Sequence, residues 1–330
     1  MIRWPSFFLL TALCGCSTLH GVHVEPLAVS AQKPNQVATF LRVTEDGEPL
    51  AGLTAEQFAV YEDEQALARS QAQPTLLDPE IAAAHHTLLL VDNSLATDAA
   101  VRKELASAIS IFVERVRTVE PVAVYAFDGG AEIRLVAEFA RARKAPAPDV
   151  RRLAQIVPAD TSRNLNGALM QGTERLEALL AREQRPLRLG TLVVFSGGPD
   201  LAGRNSASDM EQALRERDHA VLGIRIGGDS SALAAVSESD SIDAHSAETL
   251  SLAFEDAAHR VVARHGQYYL LAYCSPARAG TRRLRLEVRA PAKDGSDRIG
   301  EASAEFDASG FTAGCEAKAL PRFAPRRKND

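Results

Sequence analysis

Aromatic residues make up only 5% of this 330-residue chain, and one of them is its single tryptophan. Proteins that stack bases or sugar rings need several aromatic faces, so this scarcity argues against such ligands. Basic residues are not in excess either: Lys and Arg total 37 against 43 Asp and Glu, a net charge of −6. Phosphate binders carry a basic face, so no nucleic-acid partner is expected. There are four cysteines and no C-x-x-C or H-x-x-x-H pair of zinc-ligand type. Beyond the first 16 residues no uninterrupted apolar run approaches the roughly 18 needed to span a bilayer.

Catalytic signatures are equally sparse. FSGG places Ser196 after a strand but without the G-x-S-x-G elbow. The eight histidines show no association with a nucleophile or with one another at ligand spacing. His85 and His86 precede a strand and are expected at its exposed start. His259 and His265 are six apart, wrong for an i, i+4 metal pair. RIGGDSS (225–231) lacks the phosphate-loop lysine and reads as a turn. ESDSIDAH (238–245) lacks the EF-hand glycine and terminal glutamate, and reads as a solvated loop. Neither an enzyme nor a small-molecule ligand is expected.

The N-terminus, MIRWPSFFLLTALCGCS, has Arg3, an apolar run Phe7–Leu13 and then small residues. This is the pattern of a secretory signal, too short to span a membrane. LCGC (13–16) resembles the bacterial lipobox, which implies a signal peptide of residues 1–15 and lipid attachment to Cys16. Ser17, in place of Asp, points to the outer membrane rather than the inner. The alternative is a plain secreted protein with a chance cysteine. Cys14 leaves with the signal, so Cys274 and Cys315 remain, and in an oxidising compartment they are expected to form a disulfide.

Downstream, the polar stretch 16–35, with Pro26 and Pro34, reads as a tether. Residues 36–83 alternate apolar and polar positions and turn at Asp46-Gly47, the texture of a β module. Residues 84–265 change to wholly apolar runs such as HTLLLVD, VAVYAF and LGTLVVF, separated by helix-period segments such as AAVRKELASAISIFVERV. Apolar strands alternating with amphipathic helices indicate a mostly parallel sheet covered on both faces. The β texture returns over 266–318, and a basic tail, expected to fray, follows over 319–330. The expected fold is a doubly wound α/β domain inserted in a small β-sandwich built from the N- and C-terminal segments.

The segment 84–265 resembles a von Willebrand factor type A domain. The resemblance rests on VDNS at the end of a strand, on FSGGPDLAGR after a later one, and on the strand–helix order. TEDGEPLAGLTAEQFAVYEDEQ and YYLLAYCSPARAGTRRLRLEV resemble the β modules that flank such domains in bacterial exported proteins. In that family a metal-ion-dependent adhesion site holds Mg²⁺ with Asp-x-Ser-x-Ser, a Thr from a later loop and a second Asp. Here Asp92 and Ser94 fill the first two positions. Ala96 stands at the third, Arg163 where the Thr belongs, and Gly197 in place of the second Asp. Asp200 lies three residues further on, past a proline.

One carboxylate and one hydroxyl would leave four Mg²⁺ positions to water. A cation at 4 Å from the ion would be repelled by about 8 kcal/mol at an effective dielectric of 20. Mg²⁺ is therefore disfavoured and no cofactor is expected. Two arrangements fit Asp92: pairing with Arg163 as its counter-charge, or capping the following helix while Arg163 points into solvent. The resemblance implies a cell-envelope lipoprotein that contacts a protein partner through the edge marked by Asp92, Ser94, Ala96, Arg163, Gly197 and Asp200. Arg163, Asp200 and Arg204 are expected there as exposed contact residues. A structural component using the sandwich's sheet edge near 280–289, or a Mg²⁺-dependent adhesin, are the alternatives.

Overall fold

The computed structural model describes residues 21–95, 99–141, 151–217, 219–226, 241–244, 249–291 and 297–323. The elements run β1 (Val22–Gln32), β2 (Gln36–Glu45), β3 (Glu48–Pro49), β4 (Phe58–Glu62), β5 (Gln65–Ala66), α1 (Arg69–Ala72), β6 (Thr75–Leu77) and β7 (Ala83–Asp92). There follow α2 (Ala99–Val116), β8 (Val122–Phe127), β9 (Arg134–Phe139), α3 (Arg151–Gln155), α4 (Leu165–Leu180), β10 (Leu187–Ser196), α5 (Ala207–Arg215) and β11 (Ala220–Ile226). Then come β12 (Ser241–Ala244), α6 (Leu250–His265), β13 (Tyr268–Cys274), β14 (Thr281–Pro291) and β15 (Asp297–Asp307).

The central sheet has the order β12-β11-β10-β7-β8-β9, parallel except for the edge strand β9. Its middle strand β7 shows why continuous apolar runs build such a sheet. Leu89 and Val91 face one core with Phe112 of α2 and Phe254 of α6. Leu88 and Leu90, one residue out of phase, face the other with Leu169 and Leu176 of α4. A strand buried on both faces reads as a continuous apolar run through its middle, and in β7 the polar residues, His85, His86, Thr87 and Asp92, lie to either side of Leu88–Val91.

The flanking segments form two antiparallel sheets, β1-β2-β13-β6 with β3 beside β2, and β15-β14-β4-β5. Between them lie Val37 and Leu41 of β2, Leu271 and Tyr273 of β13, and Phe58, Leu284, Leu286 and Phe306 from the opposing sheet. The outer face of the first sheet is buried too: Phe40, Leu270 and Ala272 pack against Ala82, Ala83 and Leu187. That second burial joins the sandwich to the foot of the central sheet. Among the described residues, no helix is long and apolar enough to cross a membrane.

Four expectations need correction. The stretch read as a tether contains β1, paired with β2 from Val22↔Glu45 to Gln32↔Gln36. Pro26 sits where the register shifts, a place where an edge strand tolerates proline, and Val22 and Val24 enter the sandwich core. A Cβ at Gly300 would lie 2.4 Å from the Val22 carbonyl oxygen, so glycine permits this approach of β15 to β1. Within the supposed solvated loop, Ser241–Ala244 is an edge strand, β12, with Ile242 buried and Asp243 paired to Arg225 at 2.8 Å; positions 238–240 and 245 lie outside the described residues. The start of the basic tail lies against β1: Ser30 Oγ donates to the Arg322 carbonyl at 2.7 Å and the Arg322 amide to Gln32 Oε1 at 3.2 Å. Finally, the 280–289 strand is no sheet edge, because β14 pairs with β15 on one side and β4 on the other.

Candidate functional site

The strand order reverses between β7 and β10, because the chain moves from β7 to β8 on one side and from β10 to β11 on the other. Open α/β sheets bind ligands in the crevice outside the carboxyl ends of the strands at such a switch point. Asp92 ends β7 there and Ser196 ends β10, both fully buried.

The Asp92 carboxylate accepts five hydrogen bonds. Ser94 gives Oδ1 its amide at 3.0 Å and its hydroxyl at 2.6 Å. Arg163 Nε gives Oδ2 a bond of 2.5 Å, Ser196 Oγ one of 3.1 Å and the Gly197 amide one of 3.1 Å. Arg163, 6% exposed, spends a second donor on the Pro199 carbonyl at 3.0 Å. Its own carbonyl accepts from Leu201 and Ala202, so the 199–202 loop folds over it. A buried carboxylate is tolerable only with a counter-charge and filled lone pairs, and this one has both.

Of the family-marked positions, the fold brings together Asp92, Ser94, Arg163 and Gly197. Asp200 points elsewhere: its carboxylate accepts from Asn166 N at 2.9 Å and Gly203 N at 2.8 Å, at the start of α4. Ala96 lies outside the described residues, as do Thr97, the signal peptide and Cys16. Arg163 is not the exposed contact residue expected, because its pairing with Asp92 draws it inward. Among the described residues the Asp92 carboxylate is taken up by Arg163, Ser94, Ser196 and Gly197; the turn leading into α2 lies outside them. A Cβ at Gly197 would lie 2.1 Å from Leu95 Cδ1, so the glycine makes room for Leu95. The solvent face of this edge carries Leu95, 37% exposed, and Leu201, 63% exposed; Arg204, exposed as expected, donates to the Gly129 carbonyl at 2.7 Å and faces Asp160 at 3.7 Å.

Sequence reading missed the support under the site. Asp128, buried after β8, accepts from Arg134 at 2.7 Å and from the amides of Gly130 and Ala159, while its carbonyl takes the Asn164 amide. Asn164 in turn caps α4 through Gly167 N at 3.2 Å. The FDGG stretch, a carboxylate and two glycines at a strand end, was the available signal. Cys274 and Cys315 are joined, Cα to Cα 5.7 Å.

The histidines also depart from expectation. His85 is not at an exposed strand start but 8% exposed, beneath the sandwich, because the neighbouring sheet covers the foot of β7. His86 pairs with Glu183 at 2.9 Å. His85 and His265, distant in the chain, have ring centroids 4.4 Å apart.

No family model matches this chain, and no curated protein does. Among solved structures it is similar to a von Willebrand factor type A protein from Catenulispora acidiphila, at 11% identity and TM-score 0.46, covering 93% of this chain and 77% of that one. It is similar to proximal thread matrix protein 1 from the mussel byssus at 15% identity and TM-score 0.41, over 61% and 51% of the two chains. It is also similar to the PilB minor pilin from Streptococcus sanguinis at 10% identity and TM-score 0.40, over 74% and 79%.

Proposed function

We propose that this chain is a non-enzymatic lipoprotein of the cell envelope, anchored through Cys16, that binds a protein partner without a metal at the C-terminal edge of its central sheet. The observation that carries the reading is the Asp92 environment. Both carboxylate oxygens are engaged by the chain's own donors, and the Arg163 guanidinium supplies the counter-charge. With that crevice closed, recognition falls to the side chains above it. Leu201, whose amide donates to the Arg163 carbonyl, and Leu95, beside Gly197, give this edge two exposed apolar side chains, and exposed apolar surface at a sheet edge suits a protein contact.

The test is capture from the organism's own envelope extract with the full chain as bait. The pair Leu95→Asp and Leu201→Asp is expected to cut capture of the partner at least about tenfold while leaving the melting temperature unchanged, since both side chains reach solvent. Ile299→Asp on β15, 51% exposed, is the control and keeps full capture. Equal capture by all three proteins would refute the edge as the contact. Anchoring has a separate test. Cys16→Ser is expected to move the protein from the membrane fraction to the soluble fraction; retention in the membrane would refute the lipid anchor.

A further inference from the structure

At the opposite end of the central sheet, where it rests on the sandwich, three side chains remote in sequence converge. His85 lies near the start of β7, Glu120 just before β8, and His265 at the end of α6. One ligand atom from each lies within 4.8 Å of the other two. They line a cavity of about 120 Å³. We propose that His85, Glu120 and His265 form a mononuclear binding site for a transition-metal dication of the zinc type, with a water from the cavity as fourth ligand.

The arrangement resolves Glu120 and His265 each into a ligating atom and a supported one. Thr87 Oγ1 donates to Glu120 Oε1, which leaves Oε2 facing His265 Nδ1 at 3.3 Å. The other nitrogen of that ring, Nε2, lies 4.0 Å from Glu80 Oε1. A ligating histidine whose second nitrogen faces a carboxylate is the usual outer-shell arrangement around a metal. His85 Nε2 is buried and has no hydrogen-bond partner among the described residues. An imidazole nitrogen left in that condition costs free energy unless something occupies it.

The chemistry selects the ion. Burial pushes the His85 pKa down to about 4, so at neutral pH the ring is already neutral and offers a lone pair with no proton to release. Two imidazoles and one carboxylate suit Zn²⁺ or Cu²⁺ and not Mg²⁺ or Ca²⁺. Arg42, paired with Glu25, and Arg264 also line the cavity, and their charge opposes any dication there, so it is the imidazole ligands that select zinc over a hard cation. Tetrahedral ligands at 2.0–2.1 Å from zinc stand roughly 3.4 Å apart; Glu120 Oε2 and His265 Nδ1 already have that spacing at 3.3 Å, so the contraction that binding requires falls on His85. That contraction would tie the end of α6 to β7 and β8, directly beneath Tyr268 of the sandwich, whose ring lies 5.1 Å from His85. The site uses none of the residues at the Asp92 edge and stands independently of the proposed function.

Zinc titration of the chelator-stripped full chain, against a competing chromophoric chelator, tests it. One equivalent is expected to bind and to raise the melting temperature, because a ligand of the native state stabilises it. Co²⁺ in its place is expected to give tetrahedral visible bands without thiolate charge transfer, which separates this site from the cysteines. His85→Gln and His265→Gln are each expected to weaken Zn²⁺ at least about 100-fold, and Thr87→Val by about 10–100-fold, while exposed His259→Gln changes nothing. Metal-free melting curves establish that each variant folds. If His85→Gln does not, the more exposed His265 position carries the comparison. Absence of a bound equivalent, an unmoved melting temperature, or undiminished binding in His265→Gln overturns the proposal.

Discussion

Arg163→Met is expected to destabilise the protein by about 3–5 kcal/mol, the range seen when one partner of a buried ion pair is removed. The loss is large because Asp92 has no access to solvent, so its charge cannot be rehydrated without opening the edge. Ser94, Ser196 and the Gly197 amide still donate, but dipoles do not replace a full counter-charge. Equilibrium urea unfolding of both proteins gives the difference. Asp92→Asn with Arg163→Met removes both charges, and the double variant is expected to lose less than the two single losses combined. If Arg163 stands in for an ion, millimolar Mg²⁺ should restore part of the stability of Arg163→Met and leave the native protein unchanged. A variant that loses no stability and gains no Mg²⁺ affinity would end the ion-replacement account.

Opening the Cys274–Cys315 bridge is expected to cost about 4 kcal/mol, from the chain entropy of a loop closed across 41 residues. That loop contains β14 and β15, two of the four strands of one sandwich sheet. The bridge also secures the segment after β15, where Gln36 Nε2 donates to the carbonyls of Ala317 at 2.9 Å and Ala319 at 2.7 Å. Phe311 packs on Phe306 with ring centroids 6.2 Å apart, so part of this segment retains an apolar contact when the bridge is open. Denaturant melts of the native protein, with and without reductant, and of the Cys274→Ser, Cys315→Ser variant measure the effect. The variant should match the reduced protein and ignore reductant. A difference under about 1 kcal/mol would mean that the non-covalent contacts already restrict the unfolded loop.

Much of the architecture was legible from residue order. HTLLLVD, VAVYAF and LGTLVVFS are β7, β8 and β10, and AAVRKELASAISIFVERV is α2. Burial on both faces makes the middle of a strand a continuous apolar run, and burial on one face leaves a helix its 3.6-residue stripe; both write themselves into local sequence. β1 escaped notice because an edge strand interrupted by proline carries little of that signal. β9 and β12 escaped for a related reason: as edge strands, each with one neighbour, they alternate weakly and include charged residues.

The candidate sites divide along the same line. Asp92 and Ser94 are neighbours at the end of an apolar run, and a family pattern could mark them. That Arg163 turns inward instead of into solvent depends on the switch point between β7 and β10, which brings together residues 71 positions apart. The His85–Glu120–His265 cluster has no local trace at all, since it gathers one residue each from the foot of β7, the approach to β8 and the end of α6. Periodicity arises from contacts each residue makes with its own element's surroundings, so the chain order alone specifies strands, helices and the order in which they come. Electrostatic pairing and metal geometry depend on distances across the packed molecule: the β7–β10 switch point sets the first, and the packing of α6 and the sandwich at the foot of the central sheet sets the second.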